Sequence, residues 1–124
     1  MAFEAPFSLK YSLPAKVDLS AKQYTFLKVV AGPKVDTATA SGDAVAGVLQ
    51  NKPAAGHPAE IAAPPCITKI VAGAALLAGA KVIPGVGGKA VAAGAAGTPY
   101  WGILLEASSD DGDIVTMLHV IGVV

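Results

Sequence analysis

His57 and His119 are the only imidazoles in the sequence, and Cys66 is its only thiol. A histidine beside a cysteine can act as a base that generates a thiolate nucleophile, with both brought together by the fold rather than by sequence. Neither histidine has a sequence neighbour that supports such a role. His57 lies in the Pro/Gly-rich stretch "NKPAAGHP" and reads as a solvated loop residue. His119 sits in "DIVTMLHVIGVV", where Val115, Met117 and Ile121 share its strand face, so it reads as a core or interface histidine. Cys66 follows Pro64-Pro65 at the start of an apolar run with no cation beside it to lower its pKa. A Cys–His pair stays formally open at this level.

The acidic run "SSDDGDI" places Asp110, Asp111 and Asp113 close together. A calcium loop needs carboxylates at alternating positions, then a glycine and a closing glutamate. That order is not met, so the run reads as a turn, with a weak cation site as the other possibility. Residues 85–90, "GVGGKA", formally fit the glycine pattern of dinucleotide sites. That pattern works by setting a pyrophosphate on the N-terminus of a helix. Here "VAAGAAG" follows, a poor helix, and Pro84 interrupts the preceding strand, so turn chemistry is expected. No catalytic, cofactor-binding or metal-ligating residue is assigned, and the chain is read as a non-enzyme.

Composition narrows the partners. The 124 residues carry nine lysines, no arginine and nine acidic residues, for a formal net charge of zero. Nucleic-acid binding requires clustered positive charge to displace counterions, and these lysines are scattered. A nucleic-acid partner is excluded on that ground. "IVAGAALLAGAKVIPGVGG" is broken by Lys81, Pro84 and five glycines, well short of the roughly eighteen apolar residues that mark a membrane helix. The N-terminus lacks a basic segment followed by an apolar one, so no secretory signal is expected and synthesis in a cytoplasm is.

The elements that must position these residues are strands. Residues 7–13, "FSLKYSL", alternate strictly, with Phe7, Leu9, Tyr11 and Leu13 on one face. Further strands are expected at 23–30, 33–40, 44–50, 58–63, 66–71, 80–84, 88–92, 99–106 and 113–121, separated by Gly/Pro/Asp turns. The fold class is all-β, a compact small barrel, with at most one short helix near 71–78. Residues 1–17 are expected to form an extended N-terminal arm that reaches a neighbouring molecule. Residues 18–124 are expected to form a single β-rich domain.

That domain states one idea twice. At an offset of 55, residues 32–49 match 87–104 at seven of eighteen positions, including Gly47/Gly102 and Leu49/Leu104. Each copy predicts a strand, a turn and a second strand whose glycine permits a bulge or a close backbone approach. Two such units facing each other would close a small barrel.

Three stretches in order, "DLSAKQYTFLKV", "GDAVAGVLQNKPAAGHPAEIAAPPCITKIVAGAALLAGAKV" and "YWGILLEASSDDGDIVTML", resemble the small capsid decoration (cement) proteins of tailed bacteriophages. The resemblance covers about residues 18–120, and order and spacing carry it rather than any single motif. The Pro-rich "GHPAEIAAPP" loop departs from the usual pattern. The resemblance implies a compact β-clip or β-tulip-like domain on the outer surface of a virion capsid. The implied partners are the major capsid protein and the chain itself, as a homotrimer or a dimer, with no cofactor. The implied function is to cement neighbouring capsid subunits and stabilise the head against DNA pressure. Phe3, Phe7, Leu9, Tyr11, Leu13, Tyr100 and Trp101 are the expected capsid or subunit interface residues. A small-molecule-binding or enzymatic β-clip domain, or a tail or baseplate component, is the alternative.

Overall fold

A computed structural model describes residues 10–124, and everything below concerns those residues. The chain is all-β. Its strands are β1 (Lys10–Pro14), β2 (Phe26–Val30), β3 (Lys34–Thr37), β4 (Val45–Leu49), β5 (Pro58–Ala62), β6 (Cys66–Val71), β7 (Lys81–Pro84), β8 (Ala90–Ala92), β9 (Pro99–Tyr100), β10 (Gly102–Leu104), β11 (Ile114–His119) and β12 (Gly122–Val123). The expected strands fall on these with shifts of a few residues at their ends. Residues 71–78 form no helix: Ala72 bridges to Ala90 and Leu76 to Ser108. The helical element among the described residues is one 3-10 turn at Val86–Gly88.

Two five-stranded sheets have the orders β1-β5-β4-β2-β3 and β6-β11-β10-β7-β8, and β9 pairs separately with β12. Replacing β1, β2, β3, β4 and β5 by β6, β7, β8, β10 and β11 converts the first order into the second. The details repeat as well. Leu49 N–H donates to Thr25 O at 3.0 Å, and Leu104 N–H, 55 residues later, donates to Ala80 O at 3.0 Å. Each sheet curls until its first strand's end meets its third strand, through parallel bridges Ala15–Val35 and Ala72–Ala90. Each half thus wraps around itself, where the repeat alone had pointed to two units facing each other across one barrel. The physical reason is that β5 and β11 return to pair antiparallel with β1 and β6 of their own halves.

The shared glycine has one job in both halves. At Gly47, with φ +146°, a Cβ would run into Ala62 O, and the β2–β4 register shifts beside it between Leu27 and Lys28. At Gly102 a Cβ would collide with the Met117 thioether. Both positions let one strand press against its neighbour.

Burial follows the alternation of the strands. Leu19, Leu27, Val35, Leu49 and Ile61 fill the inside of the first sheet. Phe26 and Val48, on that sheet's opposite face, join Ile70, Val82, Leu104, Val115 and Met117 in a second cluster that welds the halves together.

Candidate functional site

The expected interface residues separate into groups. Phe3, Phe7 and Leu9 lie outside the described residues. Tyr11 and Leu13 pack against the inner cluster of the first sheet, and Tyr11 Oη donates to Ala46 O at 2.7 Å. The expected arm therefore does not run to residue 17: Lys10–Pro14 is a strand of this chain's own sheet, paired with β5 from Lys10–Ala62 to Pro14–Pro58. Tyr11 and Leu13, the described residues of that alternating face, find cover within the molecule, and Ala15 and Leu19 are buried beside them.

Trp101 and Tyr100 are also engaged internally. The Trp101 indole packs on the cluster between the halves and donates Nε1–H to Ser41 O at 3.2 Å. The Tyr100 ring lies against Gly122, where no Cβ would fit, and Lys81 Nζ sits 5.4 Å from its centroid.

Cys66 and His119 are direct partners across β6 and β11. His119 is fully buried, and its Nδ1 lies 2.6 Å from Trp101 O, which identifies Nδ1 as the protonated nitrogen. Nε2 then carries a lone pair that meets no hydrogen-bond partner, the Cys66 thiol included. Burial holds the imidazole pKa below its ordinary value, with the hydrogen bond to Trp101 opposing it. Burial pushes the Cys66 thiol up, against a smaller pull from Lys10. His119 Nε2 and the Cys66 thiol, although adjacent across the two strands, are not hydrogen-bonded to each other.

In the acidic turn, the Asp113 carboxylate accepts from the N–H groups of Ser109 at 2.7 Å and Asp110 at 3.1 Å. Asp43 does the same for Thr39 and Ala40 in the first half. Asp111 pairs with Lys89 at 2.8 Å across the surface. Among the described residues no group of three or more His, Cys, Asp or Glu side chains could hold a metal ion. The "GVGGKA" segment forms the 3-10 turn and leads into β8, a strand, so no helix N-terminus stands ready for a phosphate.

The one surface feature that sequence reasoning missed centres on Tyr24. It is the non-glycine residue with positive φ among those described, at +65°, a conformation that costs a residue with a Cβ roughly 1–2 kcal/mol. Its N–H donates to Leu49 O at 2.7 Å, and Gly79 N–H makes the matching bond to Leu104 O at 2.7 Å, with φ +86°. The turn needs a left-handed residue in both halves, and glycine meets that need in one of them. The offset of 55 carried back from residue 32 to residue 24 is the sequence signal that pairs Tyr24 with Gly79. Around the half-buried Tyr24 ring, Lys69 Nζ lies 5.6 Å from the centroid. Two shallow grooves meet there. One, of about 370 Å³, is lined by Lys10, Gln50, Ile67, Thr68 and Lys69 among others; the second, of about 320 Å³, includes Glu106, Ile114 and Thr116.

Among solved structures, the chain superposes on the N base of the head fiber protein gp8.5 of bacteriophage phi29 with a TM-score of 0.74. The match covers 91% of this chain and 94% of that one. This is the fold of a phage head-fiber base. Sequence identity is 19%, so the head-fiber base fold is what the two chains share. The resemblance read from the sequence had likewise pointed to small β-rich phage head proteins. No family model matches the sequence, and no curated protein matches it.

Proposed function

We propose that this chain is a structural component of a phage head, seated on the outer surface of the capsid and cementing neighbouring major capsid subunits. The observation that carries this reading is the head-fiber base fold, matched over nearly the whole of both chains. The chemistry agrees with it: His119 is buried in the core, Asp43 and Asp113 hold turns, and the grooves are open and shallow. Assembly as a homotrimer would let several weak contacts act together, since linked sites bind with an effective concentration that a single site lacks. Such a component works through interface energy, by covering apolar surface on two shell subunits at once.

The test is to add purified protein to emptied shells assembled from the major capsid protein. Binding at a fixed ratio, density on the outer face by cryo-electron microscopy and a raised disruption temperature are the expected results. Saturation with no density on the shell, or an unchanged disruption temperature, would remove this function.

A further inference from the structure

Among the described residues, strand β6 ends the second sheet, and one of its sides has no neighbouring strand there. Val71 N–H points to that side and donates to Tyr24 O at 2.8 Å. Main-chain groups along a strand alternate in direction, so the N–H groups of Lys69 and Ile67 face the same way, into the larger groove. An extended segment laid there would find a strand edge for its backbone. Ile67, 67% exposed, offers its side chains an apolar contact. Lys10 and Lys69 line this groove with no carboxylate among its described lining residues, Glu106 lying in the smaller groove that shares Lys69, and the one salt bridge among the described residues is elsewhere, between Lys89 and Asp111.

The two halves of the molecule supply the second argument. Gly79 shows that the backbone at this turn is served by glycine, yet Tyr24 holds the same left-handed conformation with a ring attached. A strained non-glycine residue persists where its side chain is used, and Tyr24 lines both grooves together with Lys69 and Thr116. Gly79 has no ring to offer, and its open surroundings leave a Cβ nothing to touch within 4 Å.

We propose that the Tyr24 groove is the capsid-docking site, receiving an extended, carboxylate-bearing segment of the shell protein as an added strand on the free edge of β6. The segment's backbone pairs with Ile67 and Lys69, its carboxylate meets Lys10 and Lys69, and an apolar residue packs against Tyr24 and Ile67. The shell as the source of this segment rests on the function proposed above; the groove's preference for an acidic strand does not.

Two measurements separate these layers. In the first, a capped hexapeptide of alternating valine and glutamate is titrated into the isotope-labelled protein, with a valine–lysine hexapeptide as control. The expected result is amide shifts confined to Tyr24, Gln50 and Ile67–Lys69 with the acidic peptide alone, at least tenfold weaker binding for Lys69→Glu, and no such shifts for Tyr24→Gly. Equal responses to the two peptides, or shifts elsewhere, would overturn the proposal. Tyr24→Gly should melt at or above the wild-type temperature, because it copies Gly79; a large drop would show that the ring is there for stability and would also overturn it. In the second, the same variants are added to shells. Wild-type decoration with loss in both variants is expected. Decoration by both variants as by wild type would defeat the groove and leave the head function standing. Failure of wild type itself, with the peptide result intact, would defeat the head function and leave the acidic-strand groove.

Discussion

Phe26 and His119 meet edge to face, ring centroids 5.9 Å apart at 60°, across the junction of the two sheets. Phe26 comes from the first half and His119 from the second, so a charge on the imidazole would arise in the seam that joins them. Burial lowers the folded-state pKa of His119 below its ordinary value, so the unfolded chain binds the proton more readily than the folded one. Stability from this group is therefore fully present above the ordinary histidine pKa, near 6.5, and is lost as pH falls from there through the folded-state value. The melting temperature should drop between about pH 7 and 5, and His119→Gln should flatten that drop. A wild-type profile unchanged over this range would refute the assignment.

Gly47→Ala should destabilise more than Gly102→Ala. At Gly47 the new Cβ meets a backbone carbonyl and the φ is +146°, whereas at Gly102 it meets the end of Met117, which can rotate away. Overpacking typically costs about 1–3 kcal/mol; Gly47→Ala belongs at or beyond the top of that range. Urea melts of both variants measure the order, and the reverse order would contradict this account of the bulge.

Removing residues 2–13 should unfold the domain or lower its melting temperature by many degrees, because it strips β1 from β5. Tyr11→Phe is the gentle version. It deletes only the hydroxyl bond to Ala46 O, a loss of about 0.5–1.5 kcal/mol. Circular dichroism melts decide; a truncated chain as stable as the full one would show that β1 contributes nothing to the fold.

Trp101 is the single tryptophan, and it spans the seam to Ser41. Since the outer face of the first sheet is buried in the same cluster as the inside of the second, the halves should unfold together. Tryptophan fluorescence and far-ultraviolet circular dichroism should then trace one coincident transition. A fluorescence change that precedes the loss of strand signal would show that the seam opens first.

Much of the architecture was legible because it rests on period-two patterning and turn residues. Tyr11 and Leu13 announce a strand by alternation, "QYTFLKVV" announces one by its β-branched and aromatic residues, and Gly32-Pro33 and the "SSDDGD" run announce turns. What was not legible depends on which strand covers which. Tyr11 and Leu13 look unpartnered until β5 returns beside them, and nothing local says that it will. Residues 71–78 carry alanines and leucines that suit a helix, but Ala72 and Leu76 are held in bridges to residues far along the chain. Tyr24 reads as an ordinary strand aromatic, since a left-handed φ leaves no mark on the amino-acid type when the residue is not glycine.

The first half completes its sheet at Ala62, while a growing chain still lacks everything from β6 onward. Its inner cluster can close at once, but Phe26, Ala38 and Val48 belong to a cluster whose other members have yet to be synthesised. At roughly 5–20 residues per second, that apolar face waits in water for several seconds on the ribosome. Two nascent chains side by side then face a choice, because the second half of one chain is an equally good lid for the first half of the other. Heavy simultaneous expression should yield some interlocked dimers that separate only on unfolding, and light expression should yield none. Size-exclusion chromatography of material from the two regimes, before and after a refolding cycle at low concentration, would show whether the exchange takes place.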